Sequence, residues 1–130
     1  AVVRWIAELV GFPHPAGGGL LTSGTSMATI VCPAAARDRA ARRAAADVRA
    51  DGLAALLPLV GYVTAETHSC VRQAAELLGL GSRHLRTVAT GTDGRLDPAE
   101  LRAALERDRA AGLLPFLALA SAGTVGTGAV

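Results

Sequence analysis

Residues 17–29 read Gly17-Gly18-Gly19-Leu20-Leu21-Thr22-Ser23-Gly24-Thr25-Ser26-Met27-Ala28-Thr29. The stretch combines a glycine run, a short apolar segment that predicts a strand over 20–22, and a small polar turn that opens a helix. A helix start leaves backbone N–H groups without acceptors, and these groups attract anions together with the helix dipole. Gly24 permits close backbone approach, and the hydroxyls of Thr25 and Ser26 add donors. The stretch therefore predicts a phosphate-binding turn, with ordinary N-capping by Ser and Thr as the alternative.

The composition is that of one modest globular domain without a strong charge. The chain has 130 residues, is 51% hydrophobic and carries a formal net charge of +2. All 13 basic residues are Arg, and they alternate with acids along helical stretches instead of forming a basic patch interleaved with aromatic side chains. We therefore expect no nucleic-acid partner.

Apolar runs, the start of the sequence and the cysteine spacing allow predictions of localisation and metal binding. The longest apolar run, residues 113–120, contains Pro115 and is too short to span a bilayer. The chain does not open with the basic segment and apolar run of a signal peptide. Cys32 and Cys70 fit no metal-ligand spacing and are interpreted as buried thiols of a reducing compartment. We expect a soluble, cytoplasmic protein with no membrane partner and no metal.

Hydrophobic periodicity predicts helices and strands in alternation along the chain. The predicted helices span 2–10, 26–46, 68–80 and 97–111. Pro33 is expected to kink or interrupt the second of them. The predicted strands span 20–22, 59–64, 83–89 and 113–120. This alternation indicates an α/β fold with right-handed crossovers, in which a mainly parallel sheet has helices on both faces.

Parallel sheets bind ligands beyond the carboxyl ends of their strands, and three polar strand ends qualify here. They are 22–26, 66–69 and 121–127, and each carries Ser, Thr or His. The absence of a Walker A lysine, a Gly-x-Gly-x-x-Gly run and a Gly-x-Ser-x-Gly elbow argues against a P-loop, a standard dinucleotide site and a hydrolase triad. The sequence therefore predicts a ligand site of another kind where the strand ends meet.

Five segments in order carry a family resemblance. They are residues 17–29, 65–71 (Ala-Glu-Thr-His-Ser-Cys-Val), 93–101 (Asp-Gly-Arg-Leu-Asp-Pro-Ala-Glu-Leu), 108–116 (Asp-Arg-Ala-Ala-Gly-Leu-Leu-Pro-Phe) and 121–130 (Ser-Ala-Gly-Thr-Val-Gly-Thr-Gly-Ala-Val). Together they resemble the group II pyridoxal-phosphate-dependent amino-acid decarboxylases, the family of aromatic-L-amino-acid and glutamate decarboxylases. The resemblance covers essentially the whole chain. It implies that residues 1–130 are an internal fragment of the PLP-binding large domain of a fold-type-I enzyme.

The resemblance also implies roles for individual residues. Thr25 and Ser26 match the family's phosphate-binding pair, with Gly24 allowing close approach. His68 matches the histidine that stacks on the pyridine ring of pyridoxal 5′-phosphate (PLP), and it is the catalytic residue implied for this chain. Thr124 lies in a segment that lines the cofactor pocket. Taken without the resemblance, His68 is interpreted as a capping residue at a helix start.

Some positions depart from the family's common residues. Met27 stands where many members carry Glu, Val125 replaces a second Thr, and Glu66-Thr67 replaces a common Gln-Ala. These departures concern substrate preference and one threonine contact to the cofactor. They do not concern the choice of cofactor.

The chain holds only part of such a site, because it contains no lysine to form a Schiff base with PLP. The family places that lysine, and the acid that pairs with the pyridine nitrogen, downstream of residue 130. The chain also lacks an initial Met and stops soon after an apolar strand, so a fragment truncated before the lysine is expected.

The resemblance implies that the full-length enzyme is a cytoplasmic homodimer that releases CO2 from an L-amino acid through a quinonoid intermediate. The fragment alone is expected to be inactive. One alternative is another fold-type-I PLP enzyme, either a lyase or an aminotransferase. The other is a truncated, non-catalytic binding or dimerisation domain. The identity of the amino acid is open at this stage.

Overall fold

The computed structural model describes residues 2–12, 18–56 and 58–129. Within them, the helices are α1 Val2–Leu9, α2 Thr25–Arg43, α3 Ser69–Leu77 and α4 Pro98–Ala110. The strands are β1 Leu59–Val63, β2 Leu85–Thr87 and β3 Leu114–Ala118. Short 3-10 turns at Leu53–Ala55 and Ser82–His84 precede β1 and β2.

The three strands form one parallel sheet in the order β2-β1-β3. Gly61 of β1 pairs with Leu85 of β2, and Leu59 pairs with Leu114 of β3. All five residues of β1 are buried, because the strand has a neighbour on each edge and side-chain packing on both faces. A continuous apolar run is typical of such a strand. The predicted parallel α/β fold is confirmed.

Alternate side chains of β1 build a core on each face of the sheet. Val60 and Tyr62 pack on one face against Ala104 of α4. Leu59 and Val63 point to the other face, where they pack against residues of α3. The long helix α2 lies on this second side and contacts both α3 and β3. The first turns of α2 and α3 are therefore held on the same face of the sheet.

The strand predicted over 20–22 is wrong. Leu20 and Leu21 are exposed, and the segment pairs with no strand among the described residues. A strand exists only through hydrogen bonds to a neighbouring chain segment, and none of β1 to β3 supplies them here. Two helices therefore precede the first strand of the described chain.

α2 differs from its predicted form. It begins at Thr25 and runs without interruption through Pro33, which is buried. Packing of α2 against α3 maintains the helix although the proline lacks an N–H donor. α2 also ends earlier than predicted, because Ala45 adopts a left-handed φ of 55°. The N–H of Ala46 then donates to the carbonyl of Ala41 at 3.0 Å, which closes the helix end in a Schellman motif.

The start of α4 agrees with its prediction, whereas β2 is shorter than predicted. The Asp97 carboxylate accepts from the N–H of Ala99 at 2.8 Å, and Pro98 is the first helical residue. β2 occupies only three residues of the predicted 83–89, because Gly81 turns the chain at a φ of 78° and a 3-10 turn follows.

The helices are short or carry many charges. α2 is the longest, with 19 residues, and its sequence contains four Arg and one Asp. In the ranges 2–12, 18–56 and 58–129, no helix is long and apolar enough to cross a membrane.

Candidate cofactor site

The start of α2 presents free backbone donors. Gly24 is the N-cap in an extended conformation, and no side chain caps the helix, so capping by Ser or Thr is contradicted. The N–H of Ala28 donates to the carbonyl of Gly24 at 3.2 Å, which leaves the N–H groups of the first three helical residues without acceptors in the described chain. The Thr22 hydroxyl donates to the same carbonyl at 3.0 Å and braces the turn. Thr25 and Ser26 are both exposed at this helix start.

His68 lies directly before α3 and is its N-cap. Its Nδ1 accepts a hydrogen bond from the N–H of Cys70 at 3.2 Å. The side chain is exposed, and no protein group among the described residues is hydrogen-bonded to Nε2. The capping role expected for an isolated histidine is therefore present. It uses one ring nitrogen and leaves the other nitrogen available to a ligand.

A side-chain contact joins the two helix starts. Cys70 is buried, and its Sγ lies 3.7 Å from Oγ1 of Thr29 on α2. The Thr29 hydroxyl donates its one proton to the carbonyl of Thr25 at 2.8 Å. Because that proton is already used, the Cys70 thiol is the donor to Thr29. The turn at 24–26 and His68 are therefore connected through Cys70.

Thr124 lies in a turn of its own after β3. Its hydroxyl contacts the hydroxyl of Thr127, and its carbonyl accepts from the N–H of Gly128 at 2.8 Å. The same loop reaches the loop after β1, because a carboxylate oxygen of Glu66 lies 2.7 Å from the position that a Cβ on Gly126 would occupy. The exposed carboxylate of Glu66 therefore lies directly against the backbone of Gly126, and a side chain at position 126 would require that carboxylate to move.

The structure brings the three predicted segments to the same end of the sheet. β1 and β3 are parallel, so the loops that follow them emerge at the same end of the sheet, the carboxyl end of its strands. α2 is connected to this end through the contact between Thr29 and Cys70. No hydrogen bond links Thr124 to Thr25, Ser26 or His68 within the part of the chain that the structure describes.

A mainly polar cleft of about 460 Å³ opens at the carboxyl ends of β1 and β2. Its lining includes Thr64, Thr67, His68, Ser69 and Arg72. A larger cavity, of about 770 Å³, lies at the amino end of β3 and contains none of the predicted site residues. Among the predicted site residues, only His68 lines the smaller cleft, and Gly24, Thr25, Ser26 and Thr124 lie outside its lining. The smaller cleft is the candidate cleft because it contains His68, although the other cavity is larger.

A buried polar network joins α4 to the sheet. The Tyr62 hydroxyl donates to Oδ2 of Asp108 at 2.9 Å, and Nη2 of Arg86 donates to Oδ1 of Asp108 at 3.3 Å. Burial, and then the hydrogen bond to Asp108, raises the pKa of Tyr62 to about 12. Burial opposes ionisation of Asp108, but hydrogen bonds from Tyr62 and Arg86 outweigh it and lower the pKa of that carboxyl. Tyr62, Asp108 and Arg86 do not line the candidate cleft, so their contribution is to the packing of α4.

These features define a parallel α/β unit with exposed hydroxyl, imidazole and backbone N–H groups beyond its strand ends. The model of the pyridoxal-dependent decarboxylase conserved domain matches residues 1–130. The chain belongs to this family.

Characterised relatives place the chain in one part of longer proteins. Tryptophan decarboxylase 1 of Oryza sativa subsp. japonica is 36% identical over 97% of the chain, and phenylacetaldehyde synthase of Arabidopsis thaliana is 34% identical over 99% of it. The matched region is 26% of each relative. A crystal structure of Oryza sativa TDC with PLP and tryptamine is 37% identical, with a TM-score of 0.82 over 98% of this chain and 27% of that one. The chain thus spans about a quarter of the length of these relatives.

Sequence reasoning missed the residues that link the parts of the site. It interprets Cys70 only as a buried thiol, which the structure confirms, and Cys32 as buried, which is wrong because Cys32 is exposed on α2. The spacing of Cys70, two residues after a helix-capping His68, indicates a backbone bond to that side chain. The spacing of Thr29, four residues after Thr25, indicates a hydroxyl that bonds back to the helix.

Proposed function

We propose that this chain is the phosphate- and ring-binding part of the large domain of a PLP-dependent amino-acid decarboxylase. The observation that carries the proposal is the uncapped start of α2, on a helix that contacts Cys70 next to His68, in a chain that matches the pyridoxal-dependent decarboxylase family along its whole length. The proposed whole enzyme is longer than this chain, in keeping with the quarter of each relative that the chain covers.

The donor set at the start of α2 fits a phosphate. Backbone N–H groups without acceptors and two exposed hydroxyls, those of Thr25 and Ser26, are the groups that anions bind at helix starts. Gly24 has open space where a Cβ would lie, so a phosphate oxygen can approach the backbone there. We assign Gly24, Thr25 and Ser26 to the phosphate of PLP.

His68 and Thr124 are assigned to the remainder of the cofactor. The imidazole of His68 is exposed and held by one nitrogen, which leaves a flat ring face for stacking on an aromatic ring. Thr124 lies in the loop whose Gly126 contacts Glu66 of the loop after β1, and we assign it to the lining of the cofactor pocket by the family resemblance. His68 is the residue of this chain that we place next to the reacting atoms.

Bound PLP supplies an electron sink for the electron pair that remains when an α-carboxylate leaves as CO2. The residues of this chain bind and orient. The α2 start holds the phosphate end, and His68 restrains the ring. The chain has no lysine, so the proposed enzyme takes its covalent attachment group from another part of the protein. An L-amino acid as substrate, homodimeric assembly and a cytoplasmic location belong to the same proposal.

The direct experiment measures products of the full-length protein. We expect release of CO2 from one or more L-amino acids in the presence of PLP, together with an amine. The relatives include both a decarboxylase and an aldehyde synthase, so the assay should detect aldehyde as well as amine. Transfer of the amino group without CO2 release would support an aminotransferase. Absence of both PLP binding and turnover would support the non-catalytic alternative.

A matched pair of variants tests the site itself. Ser26→Ala removes a hydroxyl that we assign to the phosphate, whereas Ser23→Ala removes one outside the helix. A hydrogen bond to a charged group contributes about 1.5–3 kcal/mol, so Ser26→Ala should weaken PLP binding by roughly ten- to a hundredfold. Ser23→Ala should bind PLP as the unmodified protein does. Equal affinity of all three proteins would overturn the phosphate assignment.

A further inference from the structure

Cys70 is one of the residues through which α3 contacts α2, and it also bonds to His68. Its side chain contacts Thr29 on α2, and its backbone N–H donates to Nδ1 of His68. It is buried, with 6% of its surface exposed, and it lies at the second position of α3. None of the roles assigned above uses this residue.

The backbone contact determines which nitrogen of His68 carries a proton. An imidazole nitrogen accepts a hydrogen bond only when it is unprotonated. Nδ1 accepts from the N–H of Cys70, so the proton of the neutral ring lies on Nε2. The N–H of Cys70 is free to make this bond because residues in the first turn of a helix have no intrahelical acceptor for it. The bond therefore sets both the tautomer and the orientation of the ring.

The side-chain contact ties the same residue to the phosphate turn. The thiol of Cys70 donates to Thr29, whose hydroxyl donates to the carbonyl of Thr25 at 2.8 Å. A chain of hydrogen bonds thus runs from the first residue of α2 to the second residue of α3. Because the backbone of Cys70 also bonds to His68, this series of contacts extends to the histidine.

We propose that Cys70 is a positioning residue of the cofactor site, whose backbone N–H holds His68 in the Nε2–H tautomer while its thiol fixes the distance between His68 and the turn at Thr25. The inference rests on the proposed function. In this proposal, His68 presents one ring face and one N–H donor to a bound ligand. The contact between Cys70 and Thr29 fixes the distance between the groups that bind the phosphate and the imidazole that binds the ring.

The tautomer is tested without any activity measurement. The full-length protein labelled with [¹⁵N]histidine gives two-bond ¹H–¹⁵N spectra that distinguish the two tautomers, and His68→Gln identifies the His68 signal. We expect the Nε2–H pattern in the unmodified protein. Cys70→Pro removes the donor and should give a mixture of tautomers. Ser69→Pro removes the neighbouring N–H, which makes no bond to His68, and should keep the Nε2–H pattern.

The thiol is tested by PLP affinity in the full-length protein. Cys70→Ser keeps a donor and should bind PLP within about twofold of the unmodified protein, whereas Cys70→Ala loses the donor and should bind about three- to tenfold more weakly. Both variants keep the backbone N–H, so both should keep the Nε2–H spectrum. A purely packing role predicts the reverse order, because alanine is closer than serine to a buried apolar side chain.

The outcomes separate the inference from the proposed function. An Nδ1–H or mixed pattern for His68 in the unmodified full-length protein overturns the tautomer assignment, whether or not Cys70→Pro folds. Unchanged PLP affinity in Cys70→Ala overturns the role of the thiol. If the full-length protein binds PLP but releases no CO2, the proposed function fails, and the spectra and affinities still decide the inference.

Discussion

The hydroxyl of Tyr62 on β1 donates to the carboxylate of Asp108 on α4 at 2.9 Å, in the buried layer between the sheet and that helix. Both partners are buried, with 1% and 8% of their surfaces exposed. Arg86 of β2 completes the network from a third element. Three elements that are distant in sequence are therefore tied at one carboxylate.

Removal of the Tyr62 hydroxyl should destabilise the chain. Tyr62→Phe leaves the buried carboxylate of Asp108 with one donor fewer, which costs about 1–3 kcal/mol. The measurement is the free energy of unfolding in urea. Asp93→Asn is the control, because the Asp93–Arg95 ion pair is exposed and such pairs contribute only about 0–1 kcal/mol. Equal stability of Tyr62→Phe and the unmodified chain would contradict the role of the network.

The same pair predicts a loss of stability in alkali. The pKa of Tyr62 is raised from 10.0 to about 12, so the folded chain keeps the phenol proton where the unfolded chain has lost it. The contribution of this residue is fully present below pH 10 and is lost as the pH rises towards 12, by an amount on the order of 2 kcal/mol. Urea unfolding at a series of pH values measures it. In Tyr62→Phe, the free energy of unfolding should not show the decrease between pH 10 and 12 that this residue causes.

The lowered pKa of Asp108 predicts that the stability of the chain falls at low pH. Its pKa is lowered from 3.8 in the folded chain, so the unfolded chain takes up the proton first as the pH falls. The stabilisation is present above pH 3.8 and is lost as the pH falls through the folded-state pKa. Relative to its own stability at pH 7, the unmodified chain should therefore lose more stability on acidification than Asp108→Asn, which has no carboxyl to protonate at this position. Parallel acid-unfolding curves for the two proteins would show that Asp108 does not contribute.

The end of α2 offers a stabilising substitution. Ala45 has a φ of 55°, a conformation that costs an L-residue about 1 kcal/mol and glycine very little. Ala45→Gly should therefore raise the free energy of unfolding by about 0.5–1 kcal/mol. Ala44→Gly is the matched control, since Ala44 has a φ of −88° and gains nothing from glycine. A loss of stability in Ala45→Gly would show that this helix end is not left-handed in solution.

The absence of lysine predicts how the chain behaves with PLP. Treatment with PLP and borohydride should modify no side chain, because no lysine amine is present to form a reducible bond. Peptide mapping by mass spectrometry distinguishes the chain's amino terminus, which is a primary amine, from side chains. The full-length protein should carry one modified lysine under the same treatment. A modified side chain within residues 1–130 would contradict the prediction.

Much of the fold follows from local patterns. β1 and β3 lie where apolar runs predict strands, and α4 begins at the predicted Asp97 cap, because burial and capping are encoded in neighbouring residues. The segment at Leu20 and Leu21 shows the opposite case. It has the composition of a strand, but a strand requires a hydrogen-bonded neighbour, and the described residues contain none for it.

For the site, the sequence by itself determined the chemical groups: the small polar residues at the start of α2, the histidine before α3 and the threonine after β3. It determined them because anion binding and capping depend on residue types at fixed spacing along one segment. Only the tertiary structure decided which of these groups meet. Thr29 reaches Cys70 from 41 positions away, and Tyr62 reaches Asp108 from 46, because the parallel sheet places distant helices side by side. Such contacts depend on packing across the sheet, which no local pattern contains.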